Sequence, residues 1–90
     1  MAERRRRYEV QLIASARREL LKLPARIRVR VADAIRALAS DPRPPGCKKL
    51  AASADYFRIR VGDYRILYEV RDREVVVLVI KIGHRRDVYR

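Results

Sequence analysis

Cysteine, histidine, tryptophan and glycine are nearly missing from this chain, and the shortages narrow what it can do. Its 90 residues include one cysteine (Cys47), one histidine (His84), no tryptophan and three glycines. A single thiol excludes an internal disulfide and a cysteine metal cluster, and it fits a reducing cytoplasm. One imidazole is too few to expect a zinc site made of protein ligands, so neither metal nor cofactor is expected. Long apolar runs are absent as well. No stretch approaches the roughly 18 apolar residues of a spanning helix, and the charged start is not followed by the apolar core of a signal peptide. Internal repeats and linkers are lacking, so residues 1–90 are expected to form one small domain with one modest core.

What the chain does have is positive charge. Twenty-three Lys and Arg against 11 Asp and Glu give a formal charge of +12 and a pI near 11.0. Such a field suits polyanions or an acidic protein partner.

Hydrophobic periodicity predicts the elements. Tyr8–Ile13 alternates, with Tyr8, Val10 and Leu12 on one side, as a half-buried strand does. Ser15 is a candidate N-cap for a short helix bearing Ala16, Leu20 and Leu23. Pro24 ends that helix and suits the start of the next. The second helix places Ile27, Val31, Ala34, Ile35 and Leu38 on one stripe, with Arg26, Arg30, Asp33 and Ala37 opposite. DPRPPG at Asp41–Gly46 reads as a loop without regular hydrogen bonding. Lys48-Lys49-Leu50 and the small residues Ala51–Ala54 lead into Tyr56–Tyr68, YFRIRVGDYRILY.

Gly62-Asp63 between two β-rich runs signals a two-residue hairpin. That turn pairs Val61 with Tyr64, Arg60 with Arg65, Ile59 with Ile66 and Arg58 with Leu67. One face then carries Phe57, Ile59, Val61, Tyr64, Ile66, Tyr68 and Val70, a core. The other carries Tyr56, Arg58, Arg60 and Arg65. Directly opposed like charges destabilise a sheet, so an anion of phosphate size held between Arg60 and Arg65 accounts for their pairing. Arg71–Glu74 forms a second tight connection. Val75–Ile82 follows as a β-branched run typical of a strand buried on both faces, and Gly83 is expected to break it. Running back beside Arg65, this strand delivers His84, Arg85 and Tyr89 to the end of the sheet that holds Arg60 and Arg65. The order β-α-α-β-β-β describes an α+β fold, a helix hairpin packed on a small, mainly antiparallel sheet.

Such a constellation has the parts needed for metal-free RNA cleavage: positioning, balance of the phosphorane's charge, and proton transfer. Arginine offers a charged fork matched to phosphate oxygens but keeps its proton, which leaves Tyr89 and His84 as proton-transfer candidates. Tyr56 and Tyr89 can stack on unpaired bases. Lys48, Lys49 and Arg86 add charge for RNA binding. Basic residues on an open sheet face also serve as solvated surface or edge protection. Taken alone, the residues give a small phosphate-binding domain.

YEVQLIASARRELLKLP, DPRPPGCKKL, YFRIRVGDYRILYEV and VVVLVIKIGHRRDVYR, in that order from Tyr8 to Arg90, resemble the RelE toxins of bacterial toxin–antitoxin systems, within the RelE/ParE superfamily. The resemblance implies a cytoplasmic toxin, a neutralising antitoxin, and inhibition of translation by cutting messenger RNA in the ribosomal decoding site. In RelE toxins the 2′-hydroxyl attacks, leaving a 2′,3′-cyclic phosphate and a 5′-hydroxyl. By position, Arg58 and Arg60 match basic residues beside the scissile phosphate, and Arg65 the arginine that stabilises the phosphorane. Arg85 matches the tail arginine near the leaving group, and Tyr89 the tyrosine that stacks on the base and is a candidate to take the 2′ proton. His84 matches a basic position. Arginine instead of lysine at 58 and 60 favours charge stabilisation over proton shuttling. ParE-type members share the hairpin segment but act on DNA gyrase and generally lack the basic–aromatic set. A plain nucleic-acid-binding module fits the charge but not the arginine pair or the tail.

Overall fold

The computed structural model describes residues 7–50 and 55–84. Seven elements follow one another: β1 (Glu9–Leu12), α1 (Ala14–Leu21), α2 (Ala25–Ala37), β2 (Lys48–Lys49), β3 (Tyr56–Val61), β4 (Tyr64–Arg71) and β5 (Val76–His84). The strands form one sheet in the order β1-β5-β4-β3-β2. All neighbours are antiparallel except β1, which lies parallel to β5 with Glu9 beside Val76 and Leu12 beside Val79.

Alternation in the strands and the helical stripes meet in one core. Ala16, Val31, Ile35 and Leu38 from the helices pack with Phe57, Ile59, Ile66, Tyr68, Val70, Val77, Val79 and Ile82 from the sheet. Both helices therefore cover one face of the sheet and leave the other open. The stripe and its opposite side lie as the periodicity predicts, with Arg26, Arg30, Asp33 and Ala37 exposed.

The hairpin register is the predicted one, from Arg58 beside Leu67 to Val61 beside Tyr64. Gly62 makes the turn possible: its φ is +59°, while Asp63 is not left-handed, the pattern of a type II′ connection.

Several local expectations are corrected. Ser15 is not the N-cap of α1. The helix starts at Ala14, with Ile13 at the cap position and no side-chain cap bond. Ile13 N–H is already committed to the Val79 carbonyl at 3.0 Å, so the strand-to-helix junction is set by the sheet. Pro24 sits at the N-cap of α2, one position before its first turn. Lys48-Lys49 is a fifth, two-residue strand paired with β3. β5 starts one residue later than expected, because Val75 belongs to the turn with a left-handed φ of +58°. Gly83 does not break β5, which runs on to His84. Nor is β5 fully buried on both faces: Val77, Val79 and Ile82 are buried, while Val76, Leu78 and Ile80 on the open side are half-buried. The stretch Ala51–Ala54 lies outside the described residues.

Two devices hold the periphery. Beyond Leu12 no strand among the described residues lies beside the outer edge of β5. There Glu19 of α1 accepts the Ile82 backbone N–H at 2.8 Å and the Lys81 ammonium at 3.0 Å, which blunts the edge. At the other end of the sheet, Asp72 accepts hydrogen bonds from Tyr8 Oη at 2.6 Å and Arg43 Nη2 at 2.9 Å. Arg43 also lies 5.2 Å above the Phe57 ring. Beneath it the buried Tyr68 hydroxyl donates to the Pro42 carbonyl at 2.8 Å. The proline loop thus carries no ladder but is pinned to the sheet.

A candidate RNA-binding face

Because β3 alternates strictly and its partner residues share faces, Tyr56, Arg58, Arg60 and Arg65 all stand on the open face. Arg60 is exposed; Tyr56, Arg58 and Arg65 are half-buried. Arg60 and Arg65 are directly opposed, and Arg65 has Gly83 on its other side. The Arg65 Nε is itself buried. Arg58 stands between Lys48 and Leu67.

His84 is placed less simply. It lies opposite Tyr64, so it reaches the same end of the sheet as Arg60 and Arg65. Its register, however, puts it on the side of Val61 and Tyr64, and its ring meets Tyr64 edge-on at 5.6 Å. His84 is therefore brought to the end of the arginine pair but not to its face. Arg85, Arg86 and Tyr89 lie outside the described residues. Tyr56 shares the open face at its far end, beside Glu69. Lys48 faces the open side with Arg58, whereas Lys49 pairs with Phe57.

One basic residue at this end had no local signal. Arg30 of α2 reaches the hairpin tip: a Cβ on Gly62 would meet its Nη1 at 3.8 Å. The contact joins residues 32 positions apart in sequence, which helical periodicity alone cannot reveal.

A concavity at the β4–β5 turn, remote from Arg60 and Arg65, is bordered by Asp55, Glu69, Asp72 and Glu74 together with Arg71 and Arg73. Its carboxylates disfavour a phosphate. Shifted titrations also lie at this remote end. The hydrogen bond to Asp72 raises the pKa of Tyr8, and burial raises that of Tyr68. They mark structural bonds. Among the described residues no helix is long and apolar enough to cross a membrane.

Comparison with known proteins decides the family. Residues 10–89 match the model of the ParE toxin of the type II toxin–antitoxin system parDE. The toxin RelG of Mycobacterium tuberculosis is 37% identical over 84 residues, covering 92% of this chain and 97% of RelG. This chain belongs to the RelE/ParE superfamily of type II toxins. Solved structures agree with the fold. A chain of the RelBE2 toxin–antitoxin complex of M. tuberculosis matches with a TM-score of 0.78 and 34% identity, over 96% of this chain and all of that one. A chain of the RelE–RelB complex of Pyrococcus horikoshii gives 0.79 and 27%, covering 90% and 98%. The fold expected from sequence, two helices on a mainly antiparallel sheet, is that of this family.

Proposed function

We propose that this toxin is a metal-independent endoribonuclease that inhibits translation by cutting messenger RNA in the ribosomal A site. The observation that supports this most is the Arg60–Arg65 pair on the open face, with β5 running beside Arg65 and ending one residue after Gly83. The phosphorane's charge falls to Arg60 and Arg65, with Arg58 two residues along β3 on the same face. Arg85 serves the leaving 5′-oxygen. Tyr89 stacks on a base and takes the 2′ proton. His84, facing Tyr64, positions the start of the tail. Tyr56, Lys48 and Arg86 hold the RNA strand, while Lys49, paired with the core residue Phe57, stands on the other side of the sheet. The partner that restrains it is a cognate antitoxin with an acidic or amphipathic segment, in line with the toxin–antitoxin complexes among the similar structures.

The test is single-turnover cleavage of ribosome-bound message, scored for 2′,3′-cyclic phosphate ends. Tyr89→Phe should slow cleavage by ~10²–10⁴-fold, the range of a lost acid–base step. Tyr89→Ala should be at least as slow, since it also loses stacking. Both variants cleaving at the parental rate would make Tyr89 a packing residue. A second function, inhibition of DNA gyrase, is favoured by one finding, that the matching family model is the ParE toxin. A parent protein that makes no cuts in message moves that function ahead.

A further inference from the structure

Lys48 and Lys49 are equivalent in sequence, but the fold separates them. Lys48 pairs with Arg58 and Lys49 with the core residue Phe57. Paired side chains share a face, so Lys48 joins Arg58, Arg60 and Arg65 on the open side, while Lys49 belongs to the side of the helices. Both lysines are exposed, and neither forms an ion pair among the described residues.

The open face therefore carries two cross-strand cation pairs, Arg60 with Arg65 and Lys48 with Arg58. They stand two residues apart along β3, about 6.6–6.8 Å, and one strand spacing, about 4.8 Å, across. Side chains as long as lysine and arginine can lean across that diagonal, bringing the pairs within the separation of successive phosphates in an unpaired strand. Leu67 is Arg58's other strand neighbour, and Glu69, further along β4, is bonded to Arg71 at 3.1 Å. Lys48 is also held in place despite sitting on a two-residue strand. Leu50 N–H donates to the Tyr56 carbonyl at 2.8 Å just after it, and Cys47 N–H to the Pro44 carbonyl at 3.0 Å just before it.

We infer that Lys48 and Arg58 form a second phosphate subsite, which binds the phosphodiester next to the one held by Arg60 and Arg65 on the same single-stranded RNA. The inference rests on the nuclease function proposed above and extends its footprint by one nucleotide, assigning to one lysine of the pair a contact that the other lacks.

The experiment measures binding of a fully 2′-O-methylated single-stranded oligoribonucleotide, which cannot be cleaved, across a salt series. The proteins are the parent toxin, Lys48→Ala, Lys49→Ala and Lys48→Arg, with cleavage of ribosome-bound message by the parent followed in parallel. For single strands each phosphate contact contributes about 0.7 to the slope of log K against log salt. Lys48→Ala should lower the slope by about 0.7, Lys49→Ala should keep it, and Lys48→Arg should restore it. Equal losses from both lysines, or none from Lys48→Ala, would overturn the subsite. If the parent cuts message under either outcome, the nuclease function stands without it. A parent that neither cuts message nor binds the oligonucleotide removes both.

Discussion

Arg65 stands where a single side chain decides between surface charge and chemistry. It lies off the core face, opposite Arg60 and beside Gly83, so Arg65→Gln removes charge without opening a cavity. Toxicity at equal expression should fall sharply while the thermal transition stays within about 1 kcal/mol of the parent, as expected of substitutions off the core. An equally toxic Arg65→Gln protein would take this residue out of the mechanism. Val75 is the opposite case, with a backbone that opposes its side chain. A β-branched residue at φ +58° carries a left-handed cost of about 1–2 kcal/mol, in a turn position that asparagine tolerates. Val75→Asn should raise the melting temperature by a few degrees, since about 1 kcal/mol corresponds to 4–8 °C in a domain of this size. An unchanged or lower melting temperature would mean that the valine's partial burial outweighs the strain.

At the level of elements, two anchors carry predictions. Glu19 supplies the only acceptor recorded for the Ile82 N–H and the Lys81 ammonium among the described residues. Glu19→Ala leaves a part-buried donor without a partner, and urea unfolding should show a loss of about 1–3 kcal/mol. Tyr68 ties the proline loop to β4, and burial raises its pKa. A group whose folded pKa is raised contributes its full stability below the unfolded pKa, about 10 for tyrosine. That contribution is lost as pH rises further, because the unfolded chain gives up the proton first. Stability should therefore be flat in this term up to about pH 10 and fall above it. Tyr68→Phe should flatten the alkaline fall while lowering stability at neutral pH. A parent-like alkaline fall in the Tyr68→Phe protein would place the responsible group elsewhere.

Elements also show what the sequence makes legible. The β3–β4 register was readable because a two-residue turn fixes every pair beyond it, and the core face followed from alternation. The parallel pairing of β1 with β5 was not readable, since it joins residues 67 apart (Glu9 with Val76) and depends on where the helices return the chain. Two lysines carry no strand signal, so β2 is not legible in the sequence; β3 and the pinned proline loop impose the pairing. Ser15 looked like a cap, but the Ile13 bond to Val79 fixes the helix start. Gly83 looked like a break, yet it is neither at a turn nor left-handed, and between β4 and the Glu19-covered edge it stays extended. On the candidate face, the opposition of Arg60 and Arg65 was legible; the placement of His84 on the other side of the sheet was lost with the expected break at Gly83.

For the whole molecule, the sequence carries +12 formal charges, and Arg60 and Arg65 stand opposed on the open face. Anions that bind the native face stabilise it by mass action. Sulfate or phosphate should thus raise the melting temperature more than chloride does at equal ionic strength, and Arg65→Gln should reduce the difference. The most direct test of the central claim is mapping of RNA 5′ ends in cells after brief induction of the toxin, with double-strand DNA breaks scored in the same cultures. A message-cutting toxin predicts new 5′-hydroxyl ends at fixed codon positions within translated regions, lost in the Arg65→Gln and Tyr89→Ala proteins, with DNA intact. Broken DNA with unchanged message ends would contradict it.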